Sequence, residues 1–302
     1  MSSKFLVKLC LVTLPVLIVV VLWERELRKM PTSHTVKKAQ LEKHLSDLEV
    51  LIVGTSHAHH GINPAYMKSK ALNMANVSQS FYYDKELVLK YLPRLKKLKK
   101  VIIPISYFSL EYSRRDSSEY WRTFFYANNY NIPREDTPSY DFDIRSYSFI
   151  ALYGRPTALL YAKSYYSEPL THVEKTGWEA LNGGGNCDYG VARAKYHTGI
   201  MRPSRVVYSM KQLTELLEGL KKYHVQAILI TTPVCPNYAK SVDPKKYKIM
   251  QKSIATLRKK YKLPYYDFSV DKRFETKDFY DDHLTPEGAK KFSLILNDVI
   301  NK

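Results

Sequence analysis

Glu49-Val50-Leu51-Ile52-Val53-Gly54-Thr55-Ser56-His57 sets the reading of this chain. A short apolar run ends abruptly in a small Gly-x-Ser turn. Such a run suits a strand covered on both faces, as in a parallel sheet. Further runs follow at Ala71 to Ala75, Lys100 to Ile105, Val225 to Thr232 and Leu263 to Phe268. Pro104 requires a strand end or an edge. Between the runs lie helical patterns at Asp84 to Leu98, Ser209 to Tyr223, Asp243 to Tyr261 and Pro286 to Ile300. Pro93 predicts a kink in the first of these. Leu213, Leu216, Leu217 and Leu220 share one face of the second, with Ser209 as its expected N-cap. This alternation predicts a doubly wound α/β fold. Residues 112–205 break the rhythm. They are rich in Tyr, Ser and Arg and hold the turn Asn182-Gly-Gly-Gly-Asn186, and they read as an insertion shaping a cleft.

The N-terminus has a different character. Residues 5–23 read FLVKLCLVTLPVLIVVVLW, with no charge from Leu9 to Trp23. With Lys8 snorkelling, the stretch approaches the ~20 residues that cross a bilayer. No small-residue cleavage site follows it, so it reads as a retained transmembrane anchor contacting the lipid bilayer. Basic residues flank both ends, so charge does not set the orientation. Residues 24–47 read as a juxtamembrane stalk or short helix, and residues 48–302 as the α/β domain.

Composition narrows the partners. In 302 residues, Lys and Arg number 47 against 29 Asp and Glu, a formal charge of +18. Such a surface favours anionic partners. The Lys-rich Leu95 to Lys100 has no nucleic-acid motif beside it, so no nucleic-acid partner is expected. Three cysteines exclude a disulfide framework. Cys10 lies in the anchor, whereas Cys187 and Cys235 either pair in an oxidising compartment or remain thiols.

Two segments carry candidate chemistry. Gly54-Thr-Ser56-His57 places a hydroxyl and a backbone N–H at a strand's carboxyl end, where open α/β sheets bind ligands. Phe279-Tyr-Asp-Asp-His283-Leu-Thr-Pro-Glu-Gly288 places an imidazole just before the last helix, with Asp281 and Asp282 beside it. Thr285 is the expected N-cap there, and Pro286 suits the first helical position. A hydroxyl nucleophile needs a base, and the base needs an orienting acceptor. His57, His59 and His60 lack ligands at metal spacing and read as site-lining or exposed. Thr231-Thr-Pro233 ends the fourth strand and lines the same expected cleft.

On these two motifs the chain, over about residues 49–300, resembles the SGNH (GDSL-like) hydrolase superfamily. The closer likeness is to membrane-anchored members in cell-envelope glycan O-acylation, such as alginate-acetylation and teichoic-acid D-alanylation proteins. The resemblance implies a flavodoxin-like three-layer parallel sheet, Ser56 as nucleophile, His283 as base, and no metal or cofactor. The family aspartate lies three residues before the histidine, where this chain has Tyr280. Asp281 is the expected orienter, with Asp282 the alternative. The family's second-block glycine has no counterpart in Asn73 to Ser80, so Asn76, Ser78 or Gln79 is expected as oxyanion donor. The third-block asparagine is replaced by Ser106-Tyr107-Phe108-Ser109. Gly54, His57 and Ser106 complete the expected substrate-binding set. The resemblance implies a serine esterase or O-acyltransferase handling an acyl donor and an envelope glycan. It also implies an extracytoplasmic domain on a bacterial cytoplasmic membrane and a membrane acyltransferase partner. The alternative is an inactive glycan-binding or assembly-partner protein on the same scaffold.

Overall fold

The computed structural model describes residues 3–138, 140–153, 171–181 and 183–301. Parts of the expected insertion, including Asn182 of its glycine turn, lie outside the described residues.

Five parallel strands form one sheet: β1 Val50–Ile52, β2 Ala71–Asn73, β3 Lys100–Pro104, β4 Gln226–Thr231 and β5 Tyr265–Asp267, in the order β2-β1-β3-β4-β5. This is the flavodoxin-like order, with its switch point between β1 and β3. The period of two along each strand divides the apolar residues between two cores. Leu51, Val53, Val101, Ile103, Ala227 and Leu229 face one, against the helices Phe81–Tyr91, Arg205–Lys222 and Pro244–Tyr261. Val50, Ile52, Ile102, Ile228 and Ile230 face the other, against the helix Pro286–Ile300 and Ala194 of the helix Gly190–Ile200. The result is a three-layer α/β fold. Pro104 closes β3 in register with Ile230. A hairpin, β6 Phe279–Tyr280 and β7 His283–Leu284, precedes the last helix.

Several boundaries follow local physics. The helix expected to Leu98 stops at Tyr91 and continues as a single 3₁₀ turn, Leu92–Arg94, around Pro93. Ser209 is not an N-cap: the helix starts one turn earlier, at Arg205, and Ser209 is buried inside it. Thr285 does cap the last helix, its hydroxyl accepting from Gly288 N at 3.2 Å.

The helix Ser3–Arg28 is long and apolar enough to cross a membrane, and its apolar stretch has no buried residue. A signal sequence has the same build. Its carboxyl end docks on the domain, where the Glu24 carboxylate accepts from the N–H groups of Phe149 and Ile150. The expected stalk contains the helix Ser33–Lys43, held by a Thr32–Thr35 capping box, with His34, Lys37 and Leu41 buried. Cys187 and Cys235 are disulfide-bonded, with Cα atoms 5.8 Å apart. The bridge ties the approach to the helix Gly190–Ile200 to the segment after β4.

Gly54 turns the chain out of β1 at φ +117°, and a Cβ there would meet Pro104 Cδ at 3.3 Å. An L side chain at that angle is strained by about 1–3 kcal/mol. Gly54→Ala is therefore expected to lower stability by about that amount in denaturant unfolding; an unchanged midpoint would mean that the turn relaxes freely.

Candidate active site

The Gly54 turn is held by a buried carboxyl. Gly54 N donates to Asp84 Oδ1 at 2.9 Å, and Gln79 Nε2 donates to the same oxygen at 2.6 Å. Burial raises the Asp84 pKa to about 7, against those two hydrogen bonds. The chain then enters the short helix Ser56–Gly61, with Ser56 as its first residue.

The second motif arrives from the other end of the chain. The β6–β7 hairpin has a two-residue turn, Asp281-Asp282, with Asp281 at φ 57°. A left-handed first turn residue suits the twist of such a hairpin. His283 Nε2 lies 2.8 Å from Ser56 Oγ. His283 Nδ1 lies 3.2 Å from Asp282 Oδ1. Asp281 is not the residue beside the imidazole: its buried Oδ1 has no hydrogen-bond partner among the described residues. The physical reason is the turn, which turns the second aspartate inward and leaves the first at the left-handed corner.

Asp282 is fully buried and is a meeting point. Its Oδ1 also accepts from Arg193 Nε at 2.8 Å, and its Oδ2 faces His57 Nε2 at 3.0 Å. His197 Nδ1 stands 3.7 Å from Oδ2 and bonds the Tyr238 hydroxyl at 2.7 Å. Burial alone would raise the Asp282 pKa, but adjacent His283 and the hydrogen bonds from His283 and His57 hold it well below the carboxylate range. Burial lowers the His57 pKa despite Asp282. A neutral ring facing a carboxylate presents its N–H there, so the network assigns the proton to Nε2 and makes Nδ1 the acceptor. Ser106 Oγ, 2.9 Å from Nδ1, is then the donor. Asp282 thus serves two Ser–His pairs, Ser56–His283 and Ser106–His57.

On the expected oxyanion side, one of the three candidates, Gln79, already has its donor engaged. Gln79 bonds Asp84 and accepts from Tyr126 Oη at 2.7 Å. Ser78 sits at φ 56°, with its carbonyl accepting from buried Arg114. Asn76 differs. Its N–H donates to Gly54 O at 3.1 Å, while its buried Nδ2 has no partner among the described residues.

A third group backs the short helix. Lys37 Nζ lies 2.9 Å from His59 Nδ1 and also donates to Ala75 O. His59 Nε2 meets Glu179 Oε2 at 2.8 Å, and His60 Nδ1 donates to Glu179 O at 3.0 Å. Burial depresses the pKa values of Lys37 and His59 far below normal and that of His60 to about 3. His57, Asp282 and His283, and separately His59, His60 and Glu179, bring ligand-type atoms within 4.8 Å of one another. Either triplet has metal-type donors, but the hydrogen bonds above already pair most of the facing atoms.

Sequence reasoning missed Lys37, Glu179, Arg193, His197 and Tyr238. The spacing of Arg193 and His197, one helical turn apart, was a usable signal.

No family model and no curated relative matches the sequence. Among solved structures, the chain is similar to a Bacteroides fragilis protein described as an acylhydrolase, with 13% identity, 90% of this chain and 98% of that one covered, and TM-score 0.44. A GDSL-like lipase from Bacteroides thetaiotaomicron shares 12% identity over 89% of this chain and 99% of its own, at TM-score 0.40. A psychrotrophic esterase from a Pseudoalteromonas species shares 11% identity over 84% and 95%, at TM-score 0.39. The chemistry is therefore read from the side chains themselves.

Asp84 gives a pH test. Its folded pKa of about 7 lies above the unfolded value of 3.8, so the folded state binds the extra proton. Stability should then fall as pH rises from about 4 to 7, by up to a few kcal/mol. Asp84→Asn keeps an acceptor for Gly54 and Gln79 but cannot ionise. Thermal midpoints of the two proteins should diverge with rising pH, wild type losing more; parallel profiles would contradict the assignment.

Proposed function

We propose that the chain is a membrane-anchored, SGNH-type serine esterase or O-acyltransferase acting on a cell-envelope glycan. The observation that carries this reading is the 2.8 Å contact between Ser56 Oγ and His283 Nε2. Ser56 attacks an ester carbonyl while Nε2 takes its proton, and the same nitrogen returns a proton to the leaving alcohol. Asp282 holds the Nδ1 proton and stabilises the imidazolium that forms. The Ser56 N–H, at the start of a helix, and Asn76 Nδ2 are the proposed oxyanion donors. A sugar hydroxyl or water then takes the acyl group from Ser56.

Location is supported by two features. The apolar helix Ser3–Arg28 fits a retained anchor. A disulfide between Cys187 and Cys235 fits an oxidising, exported compartment. The charge of +18 suits an acidic glycan or anionic headgroups, and a membrane acyltransferase is the proposed donor partner.

Full-length protein in detergent should react with a fluorophosphonate, and Ser56→Ala should abolish that labelling. Asp282→Asn should slow it about 100-fold or more, whereas Asp281→Asn should leave it nearly unchanged. Folded protein that does not label would favour a binding or assembly role instead. An acetyl-ester donor with and without a glycan acceptor separates transferase from esterase.

A further inference from the structure

A cavity of about 360 Å³ opens at the carboxyl ends of β3, β4 and β5. His57 and Ser106 line it, but Ser56 and His283 do not, so the His57 ring separates it from the Ser56–His283 pair. Its volume lies at the low end of the ~300–1,000 Å³ typical of small-molecule sites. The walls are apolar, with Tyr238, Val242, Met250 and Val270 among them. Its polar lining includes Ser106 and Thr232, which follow the paired ends of β3 and β4. Ser106 gives its proton to His57, and Thr232, 1% exposed, has an Oγ1 with no hydrogen-bond partner among the described residues. A buried hydroxyl left unpaired costs free energy, which a ligand oxygen would recover. Among the described residues, the only charged side chain in the lining is Lys240, which is exposed. No other lining residue among them supplies a cation to offset an anionic head.

We propose that this cavity is a second ligand site, which takes a short alkyl or acyl chain with its neutral oxygen head against Thr232 and Ser106. The Ser106–His57–Asp282 string places Ser106, which that head would contact, two hydrogen bonds from the carboxylate that orients His283. Binding itself needs no reactive Ser56. The proposal therefore stands or falls separately from the esterase reading.

The test uses full-length Ser56→Ala protein in nanodiscs and an octan-1-ol carrying an aliphatic diazirine. Cross-links are mapped by mass spectrometry with and without excess octan-1-ol. The expected result is competable labelling of cavity residues, beside non-specific labelling of the apolar helix. Ala239→Trp and Val242→Phe, two independent fillings checked for a thermal transition, should each remove the cavity labelling. Thr232→Val keeps the shape and should weaken competition about two- to tenfold, the worth of one neutral hydrogen bond. Labelling confined to the apolar helix would overturn the proposal, as would cavity labelling that survives both fillings. Equal competition in Thr232→Val, or octanoate outcompeting octan-1-ol, would overturn the placement of a neutral head.

Discussion

The Asp282 carboxylate is the constraint on which the site depends. A carboxylate with no exposure cannot stay ionised alone, because removing it from water is far too costly without compensating partners. Here Arg193 supplies an opposing charge, and His57 and His283 supply N–H groups. Those partners come from the helix Gly190–Ile200, the short helix Ser56–Gly61 and the hairpin before the last helix. One anion therefore pins three distant segments to the carboxyl edge of the sheet. Loss of any partner would leave the remainder of the cluster under-compensated.

Burial sets the character of the surrounding imidazoles. His57, His59, His60 and His197 are all pushed below the ordinary histidine pKa, desolvation being the largest cause in each. Near neutral pH these rings are uncharged and act as oriented donors and acceptors. The protein as a whole carries +18, yet these four buried rings are uncharged, and the ion pair beside His57 and His197 is Arg193–Asp282. The excess charge therefore belongs to the surface and to long-range attraction.

Much of the fold was legible because buried parallel strands leave continuous apolar runs, such as Val50 to Val53, and because amphipathic helices leave stripes, such as Leu213 to Leu220. Ser56 and His283 were legible because one follows the first strand and the other precedes the last helix, and those elements meet at one sheet edge. The choice between Asp281 and Asp282 was not legible. Which of two adjacent acids faces inward is decided by the turn's left-handed corner, and an aspartate at either position tolerates that corner. Arg193 and His197 were hidden in an insertion whose polar sequence reads as surface. Lys37 was hidden for a related reason: a lysine in the polar stretch before the domain looks solvated, and only tertiary packing puts it against His59 and Ala75.

The most direct measurement is a crystal structure of the full-length chain after reaction with a fluorophosphonate. The expected structure has phosphorus bonded to Ser56 Oγ, His283 Nε2 within hydrogen-bond reach of the adduct, and Asp282 still beside His57 and His283. An adduct on another side chain, or a His283 ring held by Asp281 or swung clear of Ser56, would contradict it.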